Sequence, residues 1–196
     1  MNRRRLGFCL MLLGLAAVAA GLIWMGFNLW DSHRAGAEAQ RVYQVLLRYS
    51  QENPPAPDGV WSAEEEMPAV EIEDHRYIGI LSVPSLELEL PVMESWSYPD
   101  LKLSPCRYTG SAYTGDMVIC AHNYATHFGK LKYLREGEEI AFTDLDGNLF
   151  SYTVAQTDTL PPTALEELTG GGWDLTLFTC TVGGQARLAV RCQEAI

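Results

Sequence analysis

The chain has 196 residues, 47% of them apolar and 20% charged, with a formal net charge of -11. That length suits one globular domain with an accessory segment, and the composition suits a folded chain rather than a disordered one. The acidic surplus excludes nucleic acid as a partner, because phosphate neutralisation needs clustered Lys and Arg. Three of the fourteen basic residues are Arg3, Arg4 and Arg5, at the extreme N-terminus.

Residues 1–5 read as a cytoplasmic tail and 6–30 as a transmembrane helix. From Leu6 to Trp30 the chain carries no charge and one amide, Asn28. At ~1.5 Å per residue a helix of this length crosses the ~30 Å hydrocarbon layer with some tilt. Trp24 and Trp30 stand near its far end, where amphipathic rings favour the interface. The arginines before it keep the N-terminus inside by the positive-inside bias, leaving the remainder outside a single-pass cell-membrane anchor. A cleaved signal peptide competes, with small residues around Ala17–Gly21. The apolar run continues well past Ala20, too long for a simple signal core.

Residues 31–74 read as a juxtamembrane helix followed by a Pro/Glu-rich linker. Val42, Val45, Leu46 and Tyr49 form an amphipathic stripe. The prolines and the three glutamates of 52–74 argue against a continuous helix or sheet, so the segment reads as an extended linker or a loose cover over the domain. From 75 to 196 the pattern is β. "YIGILSV" and "LELELPV" flank Pro84-Ser85, "GDMVICAHN" is a compact apolar strand, and two β-rich runs surround Asp146-Gly147-Asn148 as a hairpin. "PPTALEELTGGGWD" holds one short helix between prolines and glycines. "LTLFTC" and "RLAVRC" end the chain as a strand pair. Many short strands with brief helices indicate a small antiparallel or mixed β-barrel.

A thiol becomes a nucleophile only where its thiolate is accessible and has a base or cation beside it. Cys9 lies in the apolar run, Cys106 in a loop-like stretch, Cys120 inside "MVIC" and Cys192 near the end. Cys180 closes a strand before a Gly- and Thr-rich turn. Pattern alone leaves it equally readable as a functional thiol or as a buried hairpin residue. Disulfides among Cys106, Cys120, Cys180 and Cys192 stay open, since spacing does not assign connectivity. Of the histidines, His33 abuts the span, His75 lies in the acidic linker and His127 in a loop. His122 is the first polar side chain after "MVICA", at a barrel rim. Arg187 and Arg191 sit at an even offset on the last strand and share a face. Either guanidinium could stabilise a thiolate or an oxyanion. Neither "CAH" at 120–122 nor Glu138-Glu139 makes a metal site, so no metal and no cofactor is expected.

"TLFTC" (176–180) resembles the T-L-x-T-C signature of the sortase family, the cysteine transpeptidases of Gram-positive cell surfaces. "RLAVR", "VICAHN" and "YIGILSVPSLELELPV" resemble the family's arginine strand, histidine strand end and opening strands. The resemblance implies a mainly β fold, a closed eight-stranded barrel with short helices behind the membrane helix and stalk. It also implies a two-step acyl transfer. Cys180 would attack the Thr–Gly bond of an L-P-x-T-G-like sorting signal, His122 would move the proton, Arg187 would hold the oxyanion and Thr179 would line the site. The partners implied are surface proteins bearing C-terminal sorting signals and an acceptor amine from cell-wall peptide or a pilin lysine. Ala121 before the histidine, a Cys-to-Arg interval of seven residues and the lack of an Asp-Pro-aromatic lid motif in 52–74 point to a class B- or D-like enzyme. A membrane-tethered cysteine peptidase using water and a non-catalytic β-barrel binding module are the alternatives. The Ser-x-Gly-Cys-type signature of L,D-transpeptidases is absent.

Overall fold

The computed structural model describes residues 3–53 and 61–195, so part of the expected linker (54–60) and the tip of the tail lie outside the described residues. Contacts divide the chain into two units, Met1–Arg34 and Ala35–Ile196. The first is the apolar part of helix α1, Arg3–Glu52, and is a candidate membrane span by length and hydropathy. Its large side chains, Leu13, Ile23 and Trp24 among them, are exposed. The helix runs from the apolar stretch into the expected stalk without a break, because no proline interrupts the sequence before Pro54. The residue before a proline is biased away from helical geometry, which suits an end at this point.

In the second unit, β1 (Val70–Ile72), β2 (His75–Val83), β3 (Leu88–Met93), β4 (Cys106–Thr109), β5 (Met117–Cys120), β6 (Glu139–Asp144), β7 (Leu149–Leu160), β8 (Leu175–Cys180) and β9 (Arg187–Glu194) form one sheet. Its order is β1-β2-β3-β4-β5-β8-β9-β7-β6, and pairing of β2 with β6 closes eight strands into a barrel, with β1 as an outer flap. Two pairings are parallel, β3–β4 and β5–β8. Closure draws the strands tightly together at Gly79, which pairs with Asp144 at φ 158°; a Cβ there would meet the Thr143 carbonyl at 2.2 Å. Glycine is the residue that permits this approach. The β6–β7 turn is organised by Asp144, whose carboxylate accepts from the Asp146 and Asn148 amides at 2.9 Å and from the Tyr113 hydroxyl at 2.7 Å.

The barrel interior is filled by Ile78, Leu81, Ile119, Phe142, Leu177 and Val190. Each such burial is worth about 1.5–3 kcal/mol. A second cluster combines Cys106, Val118, Cys120, Phe178 and Ala189 with Leu168 of α2 (Leu165–Thr169) and with Val42 and Leu46 of α1. Both faces of β5 and β8 are therefore covered, which explains their continuous apolar sequence.

Of the two readings of 52–74, the described residues 61–72 fit the cover over the domain, fastened rather than loose. Trp61 lies edge-on to Phe150 at 5.0 Å, Met67 is buried in the core cluster, and Val70–Ile72 pairs with β2. Apolar residues spaced among the acidic ones fasten this strap, a pattern that proline and glutamate content obscures. His75 likewise opens β2 and pairs with Asp100 at 3.2 Å.

Candidate active site

The parallel pairing of β5 with β8 sets the site. Cys120 is level with Phe178 at the end of β5, and the Ala121 amide still donates to the Phe178 carbonyl, so the chain enters His122 beside the end of β8 that carries Cys180. The antiparallel pairing of β8 with β9 places Arg187 directly opposite Cys180. His122 and Cys180 are exposed and Arg187 is half-buried. The hairpin between Cys180 and Arg187 is closed by Thr181 and Ala186, with Gly183 and Gly184 at φ 85° and 72°. Two consecutive left-handed residues let the chain reverse this tightly.

Arg187 donates from Nη1 to the carbonyls of Gly184 and Ala186, both at 3.2 Å, so its guanidinium rests against the turn. Arg191 lies on the same strand in a different setting. It is 3% exposed, pairs with Asp158 at 3.3 Å, and donates to the Leu168 carbonyl at 2.8 Å, to Thr176 at 3.1 Å and to the Glu167 carbonyl. It fixes α2 to the barrel and leaves Arg187 as the arginine across the strand pair from Cys180.

Thr179 precedes Cys180 on β8. Strand alternation turns it away from the Cys180 face, it is buried, and its hydroxyl donates to the Ala121 carbonyl at 2.8 Å. The Ala121 amide in turn donates to the Phe178 carbonyl at 3.2 Å. These two bonds lock together the strand ends that carry His122 and Cys180.

The remaining barrel cysteines separate from Cys180 by environment. Cys106, Cys120 and Cys192 are buried free thiols. Burial pushes Cys106 far up and raises Cys120 and Cys192 to about 12, so they stay protonated and inert. Among the described residues no three His, Cys, Asp or Glu side chains are grouped to hold a metal ion.

Sequence reasoning missed two groups. His127, read as a loop residue, has no exposed surface, and neither ring nitrogen has a hydrogen-bond partner of ordinary geometry. Burial lowers its pKa to about 4, opposed weakly by the nearby Ala35 backbone. No signal in a polar turn sequence marks such burial. The second group is a row of rings: Phe178 meets Tyr108 edge-on at 5.3 Å, Tyr108 stacks on Trp96 at 5.5 Å, and Tyr98 follows at 5.6 Å. Phe178 shares the Cys180 face, so strand alternation could have found the start of this row. Trp96, Arg107 and Tyr108 line an open groove there of about 490 Å³.

A family model, the sortase domain, matches residues 81–195. No curated protein matches significantly. Among solved structures, sortase C1 from Streptococcus suis is 28% identical, with a TM-score of 0.53 over 61% of this chain and 73% of that one. The pilus-related sortase C of Group B Streptococcus is 24% identical, with a TM-score of 0.55 over 86% and 97% of the two chains. The sortase D5 transpeptidase from Clostridium perfringens is 17% identical, with a TM-score of 0.61 over 82% and 99%. The last two likenesses concern the fold alone. They also cut across classes, since the class D structure has the higher TM-score and the class C structures the higher identity.

Proposed function

The chain belongs to the sortase family and is thereby a cysteine transpeptidase; from this premise we propose that Cys180, His122 and Arg187 carry its chemistry at the outer surface of a cell membrane. The observation that carries the assignment is the strand register. It pairs the backbone of Cys180 with that of Arg187, and it runs β8 beside the end of β5, which His122 follows by two residues; both support the reading. α1 anchors the enzyme, with Arg3, Arg4 and Arg5 on the cytoplasmic side by the positive-inside bias.

In the first step the Cys180 thiolate attacks the carbonyl carbon of the Thr–Gly bond in an L-P-x-T-G-like signal. The carbonyl π pair moves onto oxygen, where Arg187, released from the turn carbonyls, donates hydrogen bonds to the oxyanion. Collapse breaks the C–N bond, and protonated His122 gives its proton to the departing glycine amine. A thioester to Cys180 remains. In the second step neutral His122 takes a proton from the acceptor amine as its nitrogen attacks the thioester. The C–S bond breaks, an amide forms and the Cys180 thiolate and His122 imidazolium are restored. The acceptor is a cell-wall peptide amine or a pilin lysine. The ring row from Phe178 to Trp96 offers an apolar floor for the substrate chain leading to the thiol.

The test is a peptide assay with the full chain in detergent. A sorting-signal peptide and an amino-glycine acceptor are expected to yield a new amide, with a thioacyl adduct on Cys180 in the mass spectrum. Cys180→Ala should abolish both. Undiminished cleavage by that variant, or adduct formation at another cysteine, would overturn the assignment.

A further inference from the structure

The turn after β5 carries a column of three rings that the transfer chemistry does not by itself call for. The His122 imidazole lies face to face with the Tyr124 phenol, centroids 4.0 Å apart and planes inclined by 16°. Tyr124, only 6% exposed, meets the ring of His127 edge-on at 5.5 Å and 60°. His127 closes the column with no exposed surface. The column therefore runs from solvent at His122 to the core at His127.

Its base is held firmly. The Tyr124 carbonyl accepts from the amides of His127 at 3.0 Å and Gly129 at 2.8 Å, and the His122 carbonyl accepts from the Phe128 amide at 3.4 Å. The neighbouring Thr126 side chain presses on Gly36 of α1, where a Cβ would come within 2.7 Å of it. Ala35 and Ala39 on the same helix are buried as well, at 3% and 1% exposure. Tyr124 cannot shift without moving this packing.

An exposed histidine at a strand end ordinarily samples several rotamers. A parallel ring contact at this distance restricts the imidazole plane and leaves the in-plane nitrogens to hydrogen-bond and exchange protons. We propose that Tyr124 is a positioning residue for His122, holding the imidazole in the plane from which it exchanges protons with the leaving and incoming amines. The Tyr124 ring packs on His122, and beyond it stands the ring of His127. Burial keeps His127 neutral at pH 7, so no second imidazolium opposes the charge His122 carries before the first step and after the second. A buried neutral ring thus supports the column without altering its charge.

This inference rests on the proton-transfer role proposed for His122, and the experiment separates the two. Full-length enzyme in detergent is compared with Tyr124→Phe, Tyr124→Leu, Tyr124→Met and His122→Ala in the peptide transfer assay. Tyr124→Phe keeps the ring and should retain kcat within about twofold. Tyr124→Leu should lower kcat by about tenfold or more with KM nearly unchanged, as expected when a reacting group is misplaced. The ring protons of His122 should be shifted upfield by the phenol in wild-type and Tyr124→Phe NMR spectra, and not in Tyr124→Leu. Should Tyr124→Leu fail to fold, Tyr124→Met, unbranched and better able to fill an irregular gap, carries the same comparison. Wild-type kcat in Tyr124→Leu or Tyr124→Met, alongside inactive His122→Ala, overturns the positioning role. Full activity in His122→Ala overturns the proposed function itself.

Discussion

The two arginines of the last strand should fail in opposite ways when removed. Arg191→Ala deletes a buried guanidinium that serves Asp158, two α2 carbonyls and Thr176. Breaking a buried pair by removing one partner costs about 3–5 kcal/mol. Asp158 keeps 31% side-chain exposure and can rehydrate, which places the expected loss near the low end, about 3 kcal/mol. For a folded unit of this size that lowers Tm by about 6–12 °C. Arg191→Lys should recover only part of it, because a single ammonium cannot span acceptors on two elements as the planar fork does. Arg187→Ala removes two bonds to turn carbonyls that water can replace, so Tm should move by about 2 °C or less. Transfer activity should nevertheless fall by about 100-fold or more if Arg187 serves the oxyanion. Differential scanning fluorimetry of full-length variants, with the peptide assay run in parallel, checks both. Equal Tm losses in the two variants, or an Arg191→Ala protein as stable as wild type, would refute the reasoning.

Three other outcomes follow from the geometry. Iodoacetamide should alkylate Cys180 in the folded protein while Cys106, Cys120 and Cys192 react only after denaturation, as peptide mass mapping would show. His127 titrates near 6.5 when unfolded and near 4 when buried, so on acidification the unfolded chain takes up a proton the folded one refuses. Stability is full above pH 6.5 and falls by at most about 3 kcal/mol as the pH drops to 4; His127→Phe should flatten that part of a urea-midpoint profile. Gly36→Val should clash with Thr126 and cost about 1–3 kcal/mol, and Thr126→Ala should recover much of it, a coupling readable in a double-mutant cycle.

The strands were legible wherever alternation or a continuous apolar run met a turn signal, as at the Asp146-Gly147-Asn148 hairpin and at "LTLFTC". The pair Cys180 and Arg187 was legible because a short hairpin makes sequence neighbours into spatial ones. His122 was not reachable that way: it follows β5, whose place beside β8 depends on a parallel pairing of distant strands, and the resemblance of short motifs supplied what periodicity does not. For Thr179 alternation already indicates a face opposite to that of Cys180, whereas the signature says only that it is a neighbour in sequence. The strap at 61–72 and the burial of His127 depend on tertiary partners, Phe150 and α1 respectively, that local composition does not encode.

The hydrogen bond from Thr179 to Ala121 joins residues 58 positions apart in the chain. Closing so long a loop is slow and comes late relative to local hairpins. Until it closes, the thiol and the imidazole occupy separate segments and no part-folded species holds them together. A chain of this kind is thus chemically silent towards its neighbours while it folds. Completion of the barrel and onset of reactivity are one event.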